Sequence, residues 1–151
     1  QRGLEPDIIT YSALISACET SGRLSEARAL LFEACSRGCF SNVHSVRGVL
    51  DLHELSVPVA RMAVRSALEE RVGQKSDEGQ FGGSWATSKK GDFVLITGRG
   101  KHSKDGDAVL RPAMQALFKS EYPNLDCVPH PTNPGVLVVD AGSLRRARAA
   151  R

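Results

Sequence analysis

The chain has 151 residues, enough for one ordinary domain or a small domain plus a fragment. A 41% hydrophobic share supplies a core, and a 5% aromatic share excludes a large stacking platform for nucleic-acid bases. A net charge of +3 is too small to establish a nucleic-acid partner by itself, and no apolar run approaches the roughly 20 residues of a membrane-spanning helix.

The distribution of charge is more informative. Before Val49 there are five Lys/Arg and five Asp/Glu, so the first third is neutral. The basic excess lies after it, in Arg99, Lys101 and Lys104 and in the tail residues Arg145, Arg146, Arg148 and Arg151. The tail alone reads as a solvated basic segment. The four cysteines, Cys18, Cys35, Cys39 and Cys127, form no C-x-x-C pair and no Cys/His set at zinc spacing. They read as reduced, partly buried thiols. No signal peptide is recognisable, and the opening "QRGLEPD" starts in mid-pattern, as expected of a piece of a longer protein.

In chain order, Asp7 is a plausible N-cap for a helix whose inward face is Tyr11, Leu14, Ile15 and Cys18, ended by Gly22. A second helix starts near Leu24, buries Ala27, Leu30, Leu31 and Ala34, and stops at Gly38. Two short helices joined at a glycine cannot bury their faces alone and look like one unit of an α-solenoid. "VLDLHELS", residues 49–56, predicts a strand, with Leu50 and Leu52 on one face and Asp51 and His53 on the other. Ser56 caps a third helix that tolerates Pro58 in its first turn and faces inward through Ala60, Val64, Ala67, Leu68 and Val72. Residues 73–91 are polar and rich in Gly and Ser, a flexible loop with Trp85 as its one anchor.

"DFVLITG" is a second buried strand. The next helix begins just before Pro112 and buries Leu110, Ala113, Met114, Leu117 and Phe118. A short strand at Cys127–His130, a "TNPG" turn and the strand "VLVVD" complete the order β-α-β-α-β-β. That order implies an α/β sandwich, one sheet covered by two helices.

Two short stretches carry chemistry. "TGRGKHSK", residues 97–104, follows a strand and precedes a helix. Its glycines allow close approach of backbone amides to an anion, and Arg99, Lys101, His102 and Lys104 add donors suited to phosphate. It is neither a dinucleotide fingerprint nor a Walker loop, because both glycine spacings fail. In "LDLH", the Asp51 carboxylate beside the His53 imidazole can orient it, raise its pKa, or help hold a hydrated divalent ion. Phosphodiester cleavage needs a base to activate the nucleophile and positive charge to offset that of the transition state. His53 as base and the glycine loop as cation source meet that need. On the residues alone, an Asp–His hydrogen bond that merely ties down the strand end is an equal alternative, since one carboxylate is thin equipment for a two-metal site.

With these residues in view, "GLEPDIITYSALISACETSGRLSEARALLFEACSRG" resembles a pentatricopeptide repeat, one complete repeat over residues 8–42 preceded by the end of another. From Leu50 onward the chain resembles the Smr (small MutS-related) domain through "LDLH" at 50–53, "TGRG" at 97–100 and "NPGVLVVD". The order matches plant- and alga-type pentatricopeptide repeat–Smr proteins, which are mostly organellar. The resemblance implies a repeat at 1–44 and an Smr domain at 45–151. It implies RNA read at about one base per repeat, through Ser12 and Asn42 here, with a preference for adenine. For the Smr part it implies nicking or endonuclease activity on RNA, or on DNA, with Asp51 and His53 catalytic and the stretch Thr97, Gly98, Arg99, Gly100, Lys101, His102 and Lys104 binding nucleic acid. Mg2+ is the implied cofactor, RNA the implied partner, and the chloroplast, ahead of the mitochondrion, the implied location. Some family members only bind, which leaves a non-catalytic RNA-binding or protein-docking module as the alternative. Glu54 stands where the family commonly has glycine, putting an extra negative charge beside the presumed site. His44 and His130 have no partner in the motif and read as structural or surface residues.

Overall fold

A computed structural model of the chain describes residues 7–40, 43, 48–72, 91–99 and 109–150. The expectations for Asn42, His44, the side chain of Val72, the loop 73–90 with Trp85, Gly100, Lys101, His102, Lys104 and Arg151 lie outside the described residues.

Helix α1 (Ile8–Thr20) starts where Asp7 Oδ1 accepts the Thr10 N–H at 2.9 Å, and Gly22, at φ +76°, turns the chain into α2 (Leu24–Ser36). Ala27, Leu31 and Ala34 are fully buried in α2, as its spacing predicts. In α1 the inward stripe is narrower than expected. Tyr11, Ile15 and Glu19 recur every fourth residue and are buried, whereas Leu14 is 44% exposed, and Ile8 and Ile9 in the first turn are exposed too.

The hairpin does find a neighbour. Both helices pack on α3 (Val57–Val72), and their core continues without a break into the rest of the molecule. A buried ion network fastens the junction. Arg61 Nε and Nη2 each donate at 2.6 Å to the two carboxylate oxygens of Glu19, and Arg65 Nη1 donates to Glu19 Oε1 at 3.0 Å. Arg65 also holds Glu121, with Nη2 and Nε at 2.7 and 2.9 Å from its oxygens. Arg28 of α2 forms an ion pair with Glu69 of α3. Burial pushes the Glu19 carboxyl up, but the hydrogen bonds from Arg61 and Arg65 outweigh it and hold the group below the ordinary glutamate range.

The second part has strands β1 (Val49–Asp51), β2 (Phe93–Ile96), β3 (Cys127–Pro129) and β4 (Val136–Val139), with α3 after β1 and α4 (Leu110–Glu121) after β2. They form one mixed sheet in the order β1-β2-β4-β3, with β1 and β2 parallel and the other pairs antiparallel. The fold is therefore α/β. Register aligns Leu50, Leu95 and Leu137, and beside them Phe93 and Val139, all completely buried. Val49, Val94, Ile96, Val136 and Val138 occupy the other face and are only half-buried, so one face of the sheet carries the core. Ser56 accepts the Val59 N–H at 3.5 Å at the start of α3, and α4 starts two residues before Pro112, both as the sequence suggests.

Two expectations are corrected. The strand predicted at 49–56 ends at Asp51, because the Asp51 carboxylate accepts the His53 N–H at 3.1 Å and turns the backbone out of the sheet. The segment after β4 is a fifth helix, α5 (Ala141–Ala149), where a solvated tail was expected. Asp140, expected as the end of the last strand, caps it by accepting the Ser143 N–H at 2.8 Å, and Leu144 is buried beneath it. Arg148 Nε donates to the Arg71 carbonyl at 2.9 Å, which ties α5 to the end of α3. Arg71 is itself buried, with its guanidinium 4.9 Å over the Phe93 ring and its Nη2 on the Gly91 carbonyl at 3.1 Å.

Candidate functional site

The sheet topology gathers the motif residues at one edge. Because β1 and β2 are parallel, Asp51 and Ile96 end side by side, and antiparallel β4 begins at that same edge after the turn Asn133–Gly135. Three stretches distant in sequence therefore meet: Asp51–Glu54, Thr97–Arg99 and Asn133–Gly135.

Leu52 N–H still donates to the Ile96 carbonyl at 2.8 Å, and Leu55 N–H closes a turn on the Leu52 carbonyl at 3.1 Å. Asp51 and His53 meet through this turn and not through strand alternation. Asp51 Oδ1 accepts from the His53 backbone and lies 2.5 Å from Nδ1 of its ring. That contact assigns the proton to Nδ1 in the neutral ring and leaves Nε2 as the working edge. The hydrogen bond to Asp51 raises the His53 pKa; burial opposes this, and the charges of Asp51 and Glu54 add to the rise. Glu54 Oε2 is 4.0 Å from Nε2. Its φ of +67° lies in the left-handed region, at a turn position that favours glycine. An imidazole oriented by a carboxylate on one nitrogen and exposed on the other is equipped for proton transfer.

The glycine turn lies directly beside this pair. A Cβ built on Gly98, which has φ +79°, would stand 3.5 Å from the His53 Cβ. Opposite, the Gly135 carbonyl accepts from Thr97 N–H at 2.8 Å, Gly98 N–H at 3.1 Å and the Thr97 hydroxyl at 3.1 Å. Thr97 is buried, so its hydroxyl and amide, with the Gly98 amide, hold the turn in place and are engaged inside the protein. Arg99 is exposed, and its Cγ passes 3.1 Å from a Cβ built on Gly135, so a side chain there would need its neighbours to give way.

Sequence reasoning missed the parts of the edge that come from tertiary contact. Arg111, in the first turn of α4, donates through Nη1 to the Pro134 carbonyl at 3.1 Å. It adds a second guanidinium to the turn flanked by Arg99. His130 Nδ1 accepts the N–H groups of Thr132 and Asn133 at 3.2 and 3.1 Å, which gives it the structural role expected of it. The "NPG" sequence was the only signal for this turn.

Ser12 is half-buried on α1, seven residues before Glu19 and so two turns along the same side of the helix. The structure does not bring Ser12 to the sheet edge among the contacts described. The four cysteines are unpaired, and burial pushes the Cys35 and Cys127 thiols up to about 11, away from nucleophilic or ligating thiolate. Among the described residues, no three His, Cys, Asp or Glu side chains come together as a metal site, and no helix is long and apolar enough to cross a membrane. No family model, curated protein or solved structure matches the chain.

Proposed function

We propose that the chain is part of an RNA-processing protein in which an Smr-type α/β unit cleaves RNA that a pentatricopeptide repeat helps to position. The observation that carries this reading is the junction of the Asp51–His53 pair, its Nδ1 engaged by Asp51, with the Gly98 turn that leads into the exposed Arg99. Asp51 orients the ring, His53 moves the proton, and Arg99 and Arg111 attract the phosphate. The mixed four-stranded sheet is compatible with an Smr-type sandwich, and the left-handed Glu54 occupies the position where the resemblance expects glycine. In this reading the α1–α2 hairpin is the repeat, with Ser12 and Asn42 reading a base, and Mg2+ assists cleavage in an organelle, the chloroplast first.

The test incubates the whole chain with labelled RNA and DNA, with and without Mg2+, beside Asp51→Asn and His53→Ala. Cleavage should fall by about 10²–10⁴-fold in both variants, far more than RNA affinity does, with the thermal midpoint nearly unchanged. Equal cleavage by all three proteins refutes the assignment. A second reading, a module that binds RNA without cutting it, is favoured by the Glu54 carboxylate beside His53, which repels an incoming phosphate. Affinity for RNA with no cleavage under any divalent cation selects it, and preference for DNA selects a DNA-nicking or DNA-binding role.

A further inference from the structure

Glu54 is the one described residue beside the Asp51–His53 pair whose backbone is strained. Outside glycine and asparagine, the left-handed region is disfavoured, and strain retained beside reactive groups points to a role for the side chain. Among the described residues, no hydrogen bond of Glu54 explains its conformation as a local cap, and its described ionic contact is with His53. The imidazole thus has one carboxylate at each ring nitrogen: Asp51 at 2.5 Å from Nδ1 and Glu54 at 4.0 Å from Nε2. The element facing them across the edge brings the Gly98 backbone against the His53 Cβ, followed by the exposed Arg99. The charged groups described at this edge are Asp51, Glu54, Arg99 and, bonded to the facing Asn133–Gly135 turn, Arg111.

We infer that Glu54 is a positioning residue of this site: its carboxylate, held beside Nε2 by the left-handed turn, keeps a proton on that nitrogen, so that His53 meets phosphate as a charged donor. This rests on the reading of the edge as a phosphodiester site and fixes what His53 does there. Nε2–H first hydrogen-bonds a phosphate oxygen. As a solvent water forms the new phosphorus–oxygen bond and loses its own proton to solvent, the old bond breaks. Nε2–H gives its proton to the leaving oxygen, and the neutral ring keeps its Nδ1–H on Asp51. Glu54 touches neither atom of the breaking bond.

Three proteins separate charge from strain: wild type, Glu54→Gln, which keeps the side chain in the strained turn without charge, and Glu54→Gly, which removes both. The His53 ring is titrated by nitrogen-resolved NMR, and the affinity for a single-stranded RNA oligonucleotide is measured across the same pH range. The His53 midpoint should move to lower pH in both variants by the same amount, with the thermal midpoint rising only in Glu54→Gly. At low pH both variants should bind RNA about 2–4-fold more tightly, because one repelling charge is gone. Their loss of affinity with rising pH should begin earlier than in wild type. An unchanged His53 midpoint in Glu54→Gln overturns the inference, as does a shifted midpoint with no matching shift in the pH profile of binding. If wild type binds no RNA while the midpoint still moves, the hold of Glu54 on His53 stands and the phosphodiester reading, with the donor role, is refuted.

Discussion

Replacing Glu19 by Gln tests whether the helical hairpin and the α/β unit form one cooperative structure. The Glu19 side chain is only 5% exposed, against 29% for Arg61 and 12% for Arg65. Glutamine keeps the shape and one acceptor oxygen, but it offers an N–H₂ group to a guanidinium and leaves two arginines short of a counter-charge. Removing one member of a buried pair costs about 3–5 kcal/mol. Arg61 is partly solvated and Arg65 keeps Glu121, so the expected loss is at the lower end, about 3 kcal/mol. In a chain of this size that lowers the thermal midpoint by about 6–12 °C. The assay is urea and thermal unfolding, with Glu26→Gln as the control, because the Arg23–Glu26 pair is exposed and should be worth less than about 1 kcal/mol. The Glu19 carboxyl is held below its ordinary range, so its contribution is complete above the ordinary glutamate pKa and is lost as pH falls through the lowered folded value. The difference between wild type and Glu19→Gln should therefore close in acid. A loss below about 1 kcal/mol at neutral pH, or a difference that persists in acid, refutes the reasoning.

Glu54→Gly should stabilise the fold by about 0.5–1 kcal/mol, since relief of a left-handed residue outweighs the added freedom of the unfolded chain; denaturant midpoints measure it. Gly135→Ala should destabilise by about 1–3 kcal/mol, because its Cβ would meet backbone, the Gly98 C and O at 3.1 and 3.2 Å; a neutral result in thermal unfolding would show that the turn can move. Arg111→Gln, which can still donate to the Pro134 carbonyl, should weaken RNA binding and reduce the slope of log affinity against log salt by about one, with Arg111→Lys restoring the slope. The folded His53 pKa is raised, so its stabilisation is complete below about pH 6.5 and is lost as pH rises through the folded value; His53→Gln should remove that slope from the stability profile.

The elements most legible in the sequence are those with local punctuation. Asp7, Gly22 and Gly38 mark the hairpin through a cap and two glycines with positive φ, signals that need no tertiary context. The end of β1 was hidden because the apolar alternation outlasts the strand. Leu52 is fully buried and its N–H still reaches Ile96, yet the chain has already begun to turn on the Asp51 carboxylate. Helix α5 was obscured because its cap, Asp140, directly follows a β-branched run, and Leu144 is its single large buried apolar residue. The proximity of Asp51 and His53 was legible, although for a different geometric reason. The roles of Gly135 and Arg111 depend on which strand ends meet, and strand order is a long-range property that no local pattern states.

The continuous core between hairpin and sheet bears on where this chain can be divided. Cutting at residue 45, the boundary the two sequence resemblances suggest, would strip α3 of the two helices packed on it and open the continuous core at that junction. It would also leave Arg61 without the carboxylate it grips and Arg65 with one of its two. A fragment trimmed in that way presents a fresh apolar surface studded with arginines, which binds anions and other copies of itself indiscriminately. Nucleic-acid affinity measured on such a fragment would report the wound rather than the site.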